Sequence, residues 1–368
     1  MNLGETPIPE GAQERAWRVV SAAFEERLPA PRPRRVWPVV AVAAAVVAAA
    51  AAASPPGRAV LGSVRHAIAG ERNAVPALYA LPAPGRLLVQ STRGPWIVDA
   101  DGSKRLLGGY REASWSPHGL YVAAARANEL LAVDPKGEVR WSLARPSIRF
   151  PRWAGSRADT RIAYLTSSRL HVVGGDGRGD VDACGEPAAA PVAPAWRPGD
   201  GFVLAFATTR GRIVVLDAAT CSARWATPPG PAVTQLEWSP DRTRLLALGS
   251  GTLRLYSAAG RLLERRTVRG ATVAAFAPRG HALALVRRTV DGSELLVGHR
   301  RVFTGAGAFS DVAWSPDGRW LLLAWPSANQ WLFIRSAGVR RIVAVSNIRR
   351  QYGSTSFPHI AGWCCAAQ

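Results

Sequence analysis

Residues 311–326 read "DVAWSPDGRWLLLAWP". A tryptophan is followed at once by a tight-turn tetrapeptide, and that by a run of large apolar side chains. Each residue type in Ser315-Pro316-Asp317-Gly318 serves chain reversal. Proline presets φ at the first corner, aspartate bonds the backbone two residues ahead, and glycine accepts a positive φ at the exit. Behind the turn, "RWLLLAW" reads as an inward strand, "WLFIRS" as a second and "RRIVAV" as a third.

The arrangement recurs upstream. Trp115 leads "WSPHG", Trp153 "WAGSR", Trp196 "WRPGD", Trp238 "WSPDR" and Phe276 "FAPRG", before the complete copy at Trp314. Successive markers lie 38, 43, 42, 38 and 38 residues apart, close to the ~40–45 residue period of propeller blades. An eroded copy, "LPAPGRLLV", starts at Leu81 without its aromatic, and Trp363 in "GWCC" reads as a terminal fragment. Ala154-Gly155 replaces the serine-proline pair of one unit, and Arg242 replaces the glycine of another. Four short antiparallel strands cannot cover both faces of their own sheet, so neighbouring sheets stack radially with the aromatic between them. Counting from Leu81 to Trp314 predicts an all-β, seven-bladed propeller of four-stranded blades, with six or eight blades as alternatives. The "FPHIAGWCC" tail is expected to pair with the first blade, which would remove two free sheet edges.

On these residues the chain resembles the TolB-type propellers of the broader WD-repeat-like group, whose motif stands complete from Trp314 to Arg319. The resemblance spans about residues 78–365, and the propeller domain is placed at 78–368. It implies an exported platform that offers a funnel and loop-rich rims to protein partners. Fold alone does not fix function.

Upstream, "VWPVVAVAAAVVAAAAAA" (36–53) is an uncharged apolar run of 18 residues, just within the range for a bilayer-spanning helix. Arg32, Arg34 and Arg35 precede it and Ser54-Pro55-Pro56-Gly57 ends it. The positive-inside rule then keeps residues 1–35 in the cytoplasm and places the propeller outside, on a single-pass cell-membrane protein. A secreted form released by cleavage near Ala53 is the rival reading. Within 13–28, Trp17, Val20, Phe24 and Leu28 fall on one helical face. Residues 54–77 read as a juxtamembrane stalk with a short helix.

The formal net charge is +20, with 46 Lys+Arg against 26 Asp+Glu. The basic residues are nearly all arginine and are spread along the chain, without the basic block that tracks a phosphate backbone, so nucleic acid is not expected as a partner. An anionic envelope polymer stays open. No nucleophile elbow, metal-binding helix or phosphate loop is present, so no catalytic residue, metal or cofactor is assigned. His118, His171, His281, His299 and His359 fall in different repeats and read as rim residues. Asp176, Asp180 and Asp182 in "GGDGRGDVD" lack calcium-loop spacing and read as a flexible hairpin tip. Cys184 and Cys221 are the preferred disulfide pair; Cys364 and Cys365 are expected to bridge each other, stay reduced or reach a partner chain. The expected function is a non-catalytic, membrane-anchored scaffold that binds a protein or an envelope polymer and relays to the cytoplasmic helix. The alternative is a propeller lyase, lactonase or hydrolase acting on a glycan or small molecule.

Overall fold

The computed structural model describes residues 77–365, apart from 157, 183–187, 200 and 338–340. The amphipathic segment 13–28, the apolar run 36–53, nearly all of the stalk and Cys184 lie outside the described residues. Among the described residues, no helix is long and apolar enough to cross a membrane.

Seven four-stranded antiparallel sheets follow one another along the chain. Their innermost strands are His359–Cys364, Glu112–Trp115, Ile148–Gly155, Ala195–Trp196, Gln235–Trp238, Ala271–Phe276 and Val312–Trp314, for blades one to seven in that order. Each touches the innermost strand of the next blade, and the last touches the first, so the ring closes. The alternatives of six or eight blades are thereby removed. Outer strands such as Val139–Ala144 and Leu262–Thr267 are mostly exposed, whereas the middle strands, such as Val203–Ala207, are buried on both faces. That distribution follows from radial stacking: a middle strand has another blade on either side, and an outer strand has water beyond it.

Closure uses the two ends of the propeller. Strand His359–Cys364 pairs antiparallel with Arg86–Ser91, the register running Arg86 to Cys364 and Leu87 to Trp363. Trp363 therefore supplies the aromatic that the Leu81 copy lacks. The first repeat is split between the beginning and the end of the domain.

The core is divided among the gaps between blades. One apolar cluster fills each gap, from Leu88, Ile97 and Val122 between blades one and two to Leu87, Phe333 and Trp363 between seven and one. Trp153, Trp196, Trp238 and Phe276 are buried there. Trp115 and Trp314 are only partly buried at the edge of theirs.

The turns behave as their chemistry requires. At the complete copy, Ser315 Oγ donates to Asp317 Oδ1 at 2.6 Å and accepts from the Trp320 amide at 2.9 Å, while Asp317 Oδ1 accepts the Arg319 amide at 3.0 Å. Gly318 takes φ 71°. In the unit led by Trp238, Arg242 occupies the same left-handed region at φ 70°. A side chain pays there for what glycine adopts freely.

The aspartate-rich segment forms the hairpin connection between strands Arg169–Gly174 and Val181–Asp182. Asp176 caps a tight turn by accepting the Arg178 amide. Asp180 is drawn inward, its carboxylate accepting Tyr164 Oη at 2.6 Å and Arg145 Nε at 2.7 Å. Those two donors tie the approach to the outer strand of blade three to that blade's second strand and to the end of blade two. Among the described residues, no cluster of three His, Cys, Asp or Glu is arranged to hold a metal. Cys364 and Cys365 are joined to each other.

Candidate functional site

Two places in the ring combine concavity with charge. The first is the central channel, of about 790 Å³, lined by the innermost strands. An innermost strand has no further strand on its channel side, so backbone groups along that edge need other partners. Side chains from the preceding blade supply several. The Glu112 carboxylate accepts the Phe150 amide. Gln235 clamps Ala274, accepting its N–H at 3.0 Å and donating to its carbonyl at 2.6 Å. Glu237 Oε1 accepts the Phe276 amide at 3.0 Å. In the opposite direction, Trp196 Nε1 donates to Arg152 O and Trp314 Nε1 to Ala275 O.

These ties leave a charged lining. Burial pushes the Glu237 carboxyl up to about 7, against the downward pull of the Phe276 amide and Gln235. Burial likewise lowers the Arg152 guanidinium, with Glu112 opposing. At one mouth, Asp311 accepts from His359 Nδ1 at 3.3 Å and holds the imidazole above its ordinary value.

None of these lining groups except His359 was singled out in the sequence. A signal was present: the residue just before each marker is Ser114, Ala195, Ala275, Ala313 or Gly362 in five blades, but Arg152 and Glu237 in the other two. Two charged residues at a position otherwise reserved for small ones mark departures from blade packing.

The second place lies where the turns after the first and third strands of blades one and two emerge. A hollow of about 430 Å³ is lined by Arg86, Asp99, Arg105, Leu120, Tyr121, Asp134, Pro135, Lys136 and Arg140. Leu120 is 57% exposed and Tyr121 38%. Tyr121 is held upright by stacking on Trp153, ring centroids 5.9 Å apart. Asp134 is consumed internally by Arg140 and by the amides of Lys136 and Glu138. Arg105 and Lys136 are exposed, and among the described residues their side chains have no hydrogen-bond or ion-pair partner.

The marker residues of the sequence reading thus occupy blade packing and turns. Of them, Phe276, Trp314, Pro316 and Trp363 line the channel. The Cys184–Cys221 pairing lies outside the described residues at its Cys184 end.

Comparison with solved structures agrees with the architecture. A chain in a crystal structure of the mitotic checkpoint complex superposes with a TM-score of 0.55 at 17% identity, covering 85% of this chain and 98% of that one. The fold is a WD40-like seven-bladed propeller. At that identity the likeness concerns fold alone. A chain of Kuenenia stuttgartiensis hydrazine synthase matches at 15% identity over 62% of this propeller protein and 76% of that chain, with a TM-score of 0.46. No protein-family model matches the sequence, and no curated protein does.

Proposed function

We propose that this propeller is a non-catalytic scaffold that binds a protein partner on the face formed by blades one and two. Residues 36–53 anchor it in the membrane, the ring stands on the extracytoplasmic side, and the segment 13–28 is its cytoplasmic contact. The observation that carries the binding role is the exposed Leu120–Tyr121 pair beside the unpaired cations Arg105 and Lys136. Tyrosine and arginine are among the residues enriched at interface hot spots, and Leu120 widens the apolar contact beside them. A partner segment with an apolar anchor and flanking carboxylates matches it. The charges Arg105 and Lys136 also suit an anionic envelope polymer, which would need no apolar anchor.

The test is a photo-reactive residue placed at Leu120 in intact cells, with the same residue at Val290 as control. Val290 is fully exposed on a turn between second and third strands, at the opposite end of the sheets. A protein adduct from position 120, absent from position 290 and lost in Arg105→Glu/Lys136→Glu, supports the scaffold. Equal adducts at both positions, or none at 120, reject it. Protease accessibility of the ring in those cells tests the membrane topology separately.

A further inference from the structure

Strand Ile148–Gly155 begins with an irregularity: its register against Thr160–Thr166 shifts between Arg149 and Arg152. Phe150 takes φ 53° there, and Pro151, which has no amide to leave unpaired, follows it. A bulge of this kind re-aims the side chain after it, and Arg152 lines the central channel.

Other polar side chains of the channel wall are engaged. Gln235 and Glu237 are tied to the neighbouring strand, and Asp311 is held by Ser310 and His359. Arg152 has one neutral contact, Nη1 donating to Pro151 O at 2.8 Å. Among the described residues, its Nε and Nη2 have no partner. Glu112 exerts its field on the guanidinium, but its own oxygens already accept from Arg149 Nε and the Phe150 amide. The half-buried guanidinium therefore keeps two donors open toward the channel. A planar fork with free donors is the side chain that recognises oxyanions in two-point fashion.

We infer that Arg152 anchors an oxyanion site in the central channel, receiving the carboxylate or phosphate of a small polar organic molecule. The site is separate from the face proposed for the protein partner. At about 790 Å³ the channel holds more than an inorganic ion. Glu237 faces the same lumen, so its negative charge opposes an anionic ligand when ionised.

Calorimetric titration of the purified full-length chain with glucuronate, glucose 6-phosphate and neutral glucose tests this. Saturable binding of one or both anions, with glucose silent, is the expected result; the anion preferred separates carboxylate from phosphate. Arg152→Gln is expected to weaken binding by about tenfold or more, the scale of a charge-assisted contact. Glu237→Gln is expected to tighten it, which keeps the test decisive where Arg152→Gln fails to fold. Absence of saturation in both the wild type and Glu237→Gln, equal binding of glucose, or unchanged affinity in a folded Arg152→Gln would each overturn the assignment.

Discussion

Trp363 meets Phe333 edge to face, with ring centroids 5.8 Å apart and planes at 80°. One ring belongs to the last strand of the chain, which completes blade one, and the other to the third strand of blade seven. This contact, with the register from Arg86 to Cys364 beside it, makes the final strand a clasp.

Deleting residues 359–368 is therefore expected to abolish cooperative unfolding, because it exposes strand Arg86–Ser91 and opens the cluster around Phe333. Trp363→Ala should keep the clasp but lower stability by ~3–5 kcal/mol, as for other buried aromatic truncations. Urea unfolding followed by tryptophan fluorescence measures both. A truncated ring with the wild-type midpoint would show that closure does not depend on this strand.

The left-handed backbone at Arg242 offers a gain. Glycine at that turn exit should raise stability by roughly 0.5–1 kcal/mol, the relief of side-chain strain less the extra freedom of the unfolded chain. Arg197 Nε donates to the Arg242 carbonyl, a bond that Arg242→Gly retains. A lower denaturation midpoint would mean that the Arg242 side chain contributes more than its strain costs.

Turn chemistry can be removed from one blade and added to another. Asp317→Ala strips acceptors from Ser315 Oγ and the Arg319 amide and should cost about 1–2 kcal/mol. In "WSPHG", His118 stands where that aspartate would be, and its Nε2 is buried without a partner. His118→Asp should stabilise by about 0.5–1 kcal/mol through the missing cap. Paired melting curves decide each; a destabilised His118→Asp would show that the histidine ring packs productively.

Two carboxyls are expected to tilt the pH dependence of stability in opposite directions. Burial raises Glu237 from 4.5 to about 7, so the native state holds the extra proton between those values. Its contribution is fully favourable below 4.5 and is lost as pH rises toward 7, by about 3 kcal/mol at most. Asp241 is the reverse case. Against the push of burial, Ser239, Thr243 and His281 hold it down from 3.8 to about 2, so its contribution is present above 3.8 and is lost as pH falls through 2. Glu237→Gln should flatten the stability profile between 4.5 and 7, and Asp241→Asn should flatten it below 3.8. Urea midpoints measured from pH 2 to 8 check both signs; an unchanged slope in either variant would contradict the corresponding environment.

The blades were legible because their aromatic-plus-turn units obey local rules. Trp314 to Gly318 must reverse the chain wherever it lies, and six markers in step at about 40 residues reveal the repeat. Even the tail strand could be anticipated, since a repeat whose aromatic is missing at Leu81 and present at Trp363 points to a joined pair of ends. The partners of Asp180, Arg145 and Tyr164, lie 35 and 16 residues away, so its ion pair and hydrogen bond are not legible in the local run of glycines and aspartates.

By itself the sequence determined the period, the turn chemistry and the alternation of buried strands, since these depend on neighbours within a few residues. Only the tertiary structure decided what faces the axis and the rim. Arg152, Glu237 and Asp311 meet around one channel although 85 residues separate the first two and 74 the next, and Leu120 and Lys136 of blade two stand beside Arg105 of blade one only because those blades are adjacent. The physical reason is that ring closure fixes which strand edges converge. Desolvation and charge pairing then act on groups that the linear chain holds far apart.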